Sequence, residues 1–188
     1  MKEKPNSEEY DYTLLKSCGQ DVFISHRAEI RRPALVTIGN HVAIDSGVYI
    51  TTAAEIGDYV HLSPYITIIG GARSRVIIED FVTVAAGSRI IAGSDKFLGA
   101  GFTSVTVPEE FRDDVVYSTV TLKKYAGIGT NVVIMPGITI SEGSVIGACS
   151  LVTKNTEPWT IYTGVPARPV KIRPREKILE YAKKLGYF

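Results

Sequence analysis

From Ile38 onward an aliphatic residue returns at every sixth position: Ile38, Ile44, Ile50, Ile56, Leu62 and Ile68. The series resumes at Ile78, Val84 and Ile90, and again at Leu122, Ile128, Ile134, Ile140, Ile146 and Val152. A helix repeats near 3.6 residues and a strand near 2. Six is three strand periods, so every anchor returns to the same side of an extended chain. The residue four places after an anchor is apolar or small at Val42, Val48, Ala54, Val60, Ile66, Val82, Val132 and Ile138. Between these positions stand turn formers such as Gly39-Asn40, Asp45-Ser46, Gly57-Asp58 and Ser63-Pro64. Each hexapeptide therefore predicts a short strand and a turn. Three make one triangular coil, and the coils stack as a parallel β-solenoid. The fifteen anchors give five coils, a stack roughly 24 Å tall at ~4.8 Å per layer. Ile24 and Ile30 predict a partial coil before them, with Arg31-Arg32-Pro33 as a small insert.

Two interruptions break the lattice. Between Ile68 and Ile78 four extra residues fall around Gly70-Gly71-Ala72-Arg73. Between Ile90 and Leu122 a long loop, residues 94–119, leaves the coil. Long ordered loops in compact domains usually carry function. This one holds Phe97, Phe102, Phe111 and Tyr117 and is too aromatic for a disordered tether. Both ends predict helices that cover the open solenoid. Ser7 caps one running to about Ser17, with Glu8 and Glu9 in its first turn. Pro174 starts the other, REKILEYAKKL, closed by Gly186. The expected organisation is an N-terminal helical cap over residues 1–20, a solenoid over 21–173 and a C-terminal helix over 174–188.

Composition narrows the function. Twenty-one basic and 20 acidic residues leave a net charge of +1. A protein that binds nucleic acid by broad phosphate neutralisation is more basic than this. Cys18 and Cys149 are the two cysteines. Two thiols make no multi-bridge framework and point to a reduced, cytoplasmic setting. The N-terminal residues MKEKPNSEEYDY lack the apolar stretch of a secretory signal. No apolar run approaches the roughly 20 residues that span a bilayer.

The repeats IGNHVA, IGDYVH, IGTNVV and IGACSL resemble those of the hexapeptide-repeat acyltransferases. The run ITISEGSVIGACSLVTKNTEPWTIYTGVPARPVKIR is similar to the closing segment of the maltose, galactoside and streptogramin acetyltransferases. The resemblance reaches from about Ile38 to Arg173. It implies a mainly β fold, a left-handed parallel β-helix. That hand comes from the resemblance alone, since parallel crossovers are right-handed in about 98% of cases. It also implies a homotrimer with coenzyme A, as acetyl-CoA or another acyl-CoA, in a groove between adjacent subunits. Exposed backbone amides of successive coils bind the donor there. On that pattern Thr130 and Ala148, 18 residues apart, line the pantetheine arm. Small residues suit a place where a ligand approaches the backbone. Thr153 and Lys154 face the phosphate end, and Arg168 and Lys171 pair with the nucleotide phosphates.

The O-acetyltransferases of this family carry a histidine at the start of the long loop, where this chain has Asp95. An alcohol needs a base to take its proton. An amine resembling an α-amino group, with a pKa of about 7.7–8.0, is partly neutral near pH 7 without one. The loop segment AGSD followed by TVPEEFRDD resembles a subgroup that acylates amino groups on nucleotide-linked deoxysugars for O-antigen and related surface polysaccharides. Its substrate-binding residues here are Ser94, Glu109 and Glu110, with Asp95 orienting or deprotonating the ammonium. His61, in IGDYVH, is the second catalytic candidate. Ser63 and the insert lie near it in sequence, and Ser74 joins the substrate-binding group. His26 and His41 read as structural. Cys149 reads as a small buried or ligand-adjacent thiol rather than a nucleophile.

Three other readings compete. One is a sugar or polysaccharide O-acetyltransferase. Another is a zinc carbonic-anhydrase-like solenoid with three histidines as ligands. The spacings of His26, His41 and His61 fit coils of 18 poorly, and no metal is expected. The third is a non-catalytic scaffold, which has no need of the basic C-terminal segment. The partner expected is a small sugar or nucleotide-sugar acceptor, with no nucleic acid and no membrane insertion.

Overall fold

The computed structural model describes residues 10–187. Its backbone winds repeatedly through three parallel sheets, here called faces A, B and C. Face A stacks Ser17–Cys18, Val36–Ile38, Ala53–Ile56, Arg75–Ile78, Thr119–Leu122 and Thr139–Ile140. Face B stacks Phe23–Ile24, Ala43–Ile44, His61–Leu62, Thr83–Val84, Gly127–Ile128 and Val145–Ile146. It then adds Thr160–Thr163 and an antiparallel closing strand, Arg168–Ile172. Face C stacks Glu29–Ile30, Tyr49–Ile50, Thr67–Ile69, Arg89–Ile91, Val133–Ile134 and Leu151–Val152.

All fifteen anchors face inward, and none is more than 4% exposed. They stack anchor on anchor, as in Ile56↔Ile78↔Leu122, Leu62↔Val84↔Ile128 and Ile68↔Ile90↔Ile134. The core is thus three aliphatic columns running the length of the prism. The eight apolar positions four residues after an anchor are buried too.

The sequence reading falls short at the start of the stack. Cys18 pairs with Ile38 and opens a complete first coil with Ile24 and Ile30, so six full turns precede the partial seventh on face B. The stack is about 29 Å tall at ~4.8 Å per layer. The expected N-terminal helix is not formed where the chain is described. Tyr12–Leu14 is a single 3-10 turn capped by Asp11, and Ser17–Cys18 is already the first strand of face A. Hydrogen bonding to the second coil offers Ser17 and Cys18 more than a lone helical turn does. The expected cap at Ser7 lies outside the described residues.

The turn from face A to face B has a fixed device. The residue three past each face A anchor adopts positive φ: Asp21 52°, His41 56°, Tyr59 56°, Phe81 60°, Tyr125 62° and Gly143 64°. A left-handed conformation costs a non-glycine residue about 1–2 kcal/mol. Here the side chains recover it by stacking. Ring centroids lie 4.5 Å apart for His41–Tyr59, 5.0 Å for Tyr59–Phe81, 5.5 Å for Phe81–Tyr125 and 5.9 Å for Tyr125–Trp159. Such pairs are worth about 0.5–1.5 kcal/mol beyond their area. Beside them runs a polar ladder. Gln20 N–H donates to Asn40 Oδ1 (2.9 Å), Asn40 N–H to Asp58 Oδ1 (2.7 Å) and Asp58 N–H to Asp80 Oδ1 (3.0 Å). Lys124 closes it with an ion pair to Asp80 at 3.2 Å.

The C-terminal helix, Glu176–Lys184, lies along this corner. Ala182 is buried against Tyr125 and Trp159, with Ile178 and Tyr187 packed beside it. The long loop is ordered. Gly93–Asp95 pairs antiparallel with Val115–Tyr117, and Glu109–Phe111 forms a 3-10 turn. The buried Asp113 carboxylate accepts from the N–H groups of Leu98 (3.1 Å) and Asp114 (2.8 Å), which fixes the outer part. Arg75 pairs directly with Thr119, so the coil resumes in register as soon as the loop ends.

Candidate active site

The candidate residues separate onto different edges of the prism. Ser74, Ser94 and Asp95 lie at the edge where face C passes to face A. Ser74 is 2% exposed, and its carbonyl accepts from Thr52 Oγ1 at 2.6 Å. Its Oγ is the one buried side-chain polar atom without a partner among the described residues. Gly70 and Gly93 flank it so closely that a Cβ on either would stand 2.7–2.8 Å from Ser74 atoms. Ser74 therefore forms the root on which the hairpin stands. Ser94 and Asp95 are half-buried on the hairpin, and Ser94 Oγ donates to the Asp95 carbonyl at 3.1 Å. Glu109 and Glu110 are exposed further out on the loop and make no ion pair among the described residues.

His61 points outward from face B, the face opposite that edge. Its Nε2 lies 2.8 Å from Asp45 Oδ2. An ionised carboxylate only accepts, so Nε2 carries the proton and Nδ1 is the basic nitrogen of the neutral ring. Asp45 belongs to the coil below, 16 residues earlier, and the spacing alone did not flag it. His61 and Asp95 of one chain are separated by the aliphatic core and do not share a site. His41 is held by Asp21 (3.0 Å) and stacked on Tyr59, the structural role expected of it. The three histidines converge on no common point, and no group of three or more His, Cys, Asp or Glu among the described residues is arranged to hold a metal ion.

Thr130 and Ala148 occupy the edge between faces B and C, one coil apart, as Ile128 and Ile146 pair beneath them. The carbonyl of Thr130 accepts from Cys149 N–H at 2.8 Å. The N–H groups of Thr130 and Ala148 donate to no backbone carbonyl among the described residues. Both residues are exposed and belong to a rail of small residues that begins with Ala85-Ala86-Gly87. Cys149 is exposed next to Ala148, with φ 58°, and is not buried. At the top of the same rail Thr163 covers Gly147 and pairs with Arg168. Lys171 pairs with Ile161 and is exposed, as is Arg168. Thr153 and Lys154 follow the last anchor of face C and are exposed at the other edge. The structure thus brings Thr130, Ala148 and Arg168 onto one line and leaves Thr153 and Lys154 off it.

Two residues that the sequence named only as part of the insert and of the aromatic loop meet at the hairpin that carries Asp95. The Arg73 guanidinium carbon lies 3.8 Å from the centroid of the Tyr117 ring, which joins the insert to the hairpin. They are 44 positions apart, and only the hairpin register, with Tyr117 opposite Gly93, brings them together.

No protein-family model matches the chain. It is 31% identical over 168 residues to the dTDP-4-amino-4,6-dideoxy-D-glucose acyltransferase of Escherichia coli, covering 88% of this chain and 85% of that protein. It is 32% identical to the galactoside O-acetyltransferase of Escherichia coli, covering 81% of this chain and 75% of the relative. This chain belongs to the hexapeptide-repeat acyltransferases. Among solved structures, AntD, an N-acyltransferase from Bacillus cereus in complex with dTDP and 3-hydroxybutyryl-CoA, superposes with a TM-score of 0.88. The identity is 32%, over 95% of this chain and 96% of that one. A galactoside acetyltransferase in complex with coenzyme A matches at a TM-score of 0.57 and 22% identity, which is a likeness of fold. Membership makes the chain an acyltransferase. No described helix of this family member is long and apolar enough to cross a membrane.

Proposed function

We propose that the chain transfers an acyl group from coenzyme A to the amino group of a nucleotide-linked amino sugar. The observation that carries this is the full-length likeness to AntD, which has been crystallised with dTDP-4-amino-4,6-dideoxyglucose and coenzyme A. The relative from Escherichia coli that acylates the same class of sugar supports it. In this reading the free amides of Thr130 and Ala148 hold the pantetheine arm. Arg168 and Lys171, with Thr153 and Lys154, meet the phosphates. Asp95 faces the sugar amine, with Ser94, Glu109 and Glu110 around the acceptor. The neutral amine attacks the thioester carbonyl, the carbon–sulfur bond breaks, and the departing thiolate receives the proton lost by nitrogen. Amide and free coenzyme A are the products.

The edge bearing Asp95 and the rail bearing Thr130 and Ala148 are separate edges of one prism. A site that uses both needs two chains, and a homotrimer in which one edge meets the next chain's rail supplies it. The two free thiols support a cytoplasmic location, and the acceptor class supports a role in surface-polysaccharide synthesis. Incubation with acetyl-CoA and dTDP-4-amino-4,6-dideoxyglucose tests the reading. Free thiol must appear together with an N-acetylated sugar nucleotide. Turnover of galactosides alone would reject it.

A second reading has one observation in its favour. The carboxylate-oriented imidazole of His61–Asp45 is the kind of base a hydroxyl acceptor requires, and the galactoside relative is an O-acetyltransferase.

A further inference from the structure

An unbroken hexapeptide coil would carry the chain from Ile68 straight onto face A. Instead residues 70–73 bulge out, and Arg73 at the end of the bulge is laid over Tyr117 at 3.8 Å. Arg73 is exposed and makes no ion pair or hydrogen bond among the described residues, whereas nearby cations are matched. Arg75 pairs with Glu55 at 3.2 Å and Lys96 with Asp114 at 2.8 Å. Stacking uses the flat face of the guanidinium and leaves its N–H donors free at the rim, in the fork that suits phosphate oxygens. The insert and the hairpin together thus hold one unmatched, oriented cation.

The hairpin register gives this cation a neighbour. Gly93 lies opposite Tyr117 and Asp95 opposite Val115. Opposed residues of an antiparallel pair share a face and successive residues alternate. Tyr117, Val115 and Asp95 are therefore on one face, and Ser94 and Val116 on the other. Gly93 adds no side chain beside the Tyr117 ring, so this face stays open. The Tyr117–Gly93 pair on which Arg73 rests and the Asp95–Val115 pair are two residues apart along the ribbon, ~7 Å.

We propose that Arg73, held on Tyr117, binds the diphosphate of the acceptor, and that with Asp95 it measures a nucleoside-diphosphate amino sugar. One end grips phosphate and the other receives the amine across the sugar ring. This rests on the acceptor class inferred above and adds to it a specificity residue and its positioning partner. Coenzyme A also carries a diphosphate, so the test must separate donor from acceptor.

Three measurements on the full-length protein do so: the Kd for dTDP alone, and the KM values for dTDP-4-amino-4,6-dideoxyglucose and for acetyl-CoA. Arg73→Ala is expected to raise the dTDP Kd and the amino-sugar KM by about 10- to 100-fold, the size of one charge-assisted contact. The acetyl-CoA KM and the melting temperature should stay at wild-type values. Arg73→Lys should recover part of the loss. Tyr117→Phe, which keeps the ring, should bind normally, while Tyr117→Ala should weaken dTDP as Arg73→Ala does. Wild-type dTDP affinity in Arg73→Ala overturns the proposal, and so does a rise confined to acetyl-CoA. A wild-type protein that neither binds dTDP nor acylates the amino sugar overturns the acceptor class itself. A wild-type protein that does both, matched by Arg73→Ala, removes only the role of Arg73.

Discussion

The Tyr187 hydroxyl donates to Asp58 Oδ2 at 2.6 Å across 129 residues of sequence. The same ring meets Tyr59 and Phe81 edge-on at 5.5 and 5.0 Å. A residue near the chain's end is thereby fastened to the middle of the stacked corner, and the C-terminal helix is held between that contact and Trp159.

The contact has a pH signature. The hydrogen bond to Asp58 pushes the Tyr187 phenol up to about 12, from an ordinary value near 10.0. A folded-state value above the unfolded one stabilises the fold fully below pH ~10, and the contribution fades as pH rises through about 12. Tyr187→Phe keeps the ring and removes the donor. Its melting temperature should lie below wild type from neutral pH to about pH 10, with the two curves converging as pH nears 12. A gap that does not change with pH would assign the loss to packing.

Burial at the anchors sets a second expectation. Leu62 is 0% exposed in its column, while Thr83, on the neighbouring strand, points outward. Leu62→Ala should cost about 2–5 kcal/mol in denaturant unfolding, and Thr83→Ala less than about 0.5 kcal/mol. Equal costs would contradict the inward and outward assignment.

At the top of the corner Gly143 adopts φ 64° and lies under the Trp159 ring. Gly143→Ala meets both the left-handed penalty, about 1–2 kcal/mol, and overlap with the indole. Trp159→Ala should cost about 3–5 kcal/mol, because Trp159 is 6% exposed and anchors the helix. Limited proteolysis of either variant should cut first near the C-terminal helix.

Acceptor chemistry separates the two candidate bases. For an amine acceptor, Asp95→Asn should lower kcat/KM by about 10²-fold and His61→Ala by less than about tenfold. For a hydroxyl acceptor the order reverses, with His61→Ala losing about 10²- to 10⁴-fold. Steady-state rates on both acceptors with each variant decide between them.

The scaffold was legible because burial imposes a rigid period. A six-residue aliphatic repeat has no other way to hide every anchor, and insertions announce themselves as broken steps. Cys18 escaped notice as the first anchor because its side chain is not one of the branched aliphatics that mark the others. The stacked corner escaped because left-handed residues are normally glycine or asparagine. The rule that aromatic rings follow face A anchors by three was nevertheless present at Tyr59, Phe81 and Tyr125. The relation of Thr130 to Ala148 was legible because a whole coil separates them. The Asp45–His61 pair follows the coil spacing but links residues two positions out of register, whereas Arg73–Tyr117 depends on how the insert and the hairpin fold back, and no fixed spacing encodes that.

Arg75 and Thr119 sit side by side although the hairpin and its outer turn intervene between them in sequence. The excursion is therefore a graft hung from a continuous column, leaving after the face C strand Arg89–Ile91 and returning at the next face A strand Thr119–Leu122. Lengthening, trimming or exchanging it would leave the rail of Thr130 and Ala148 untouched. In evolution, this appendage can be rewritten while the column beneath it keeps its shape.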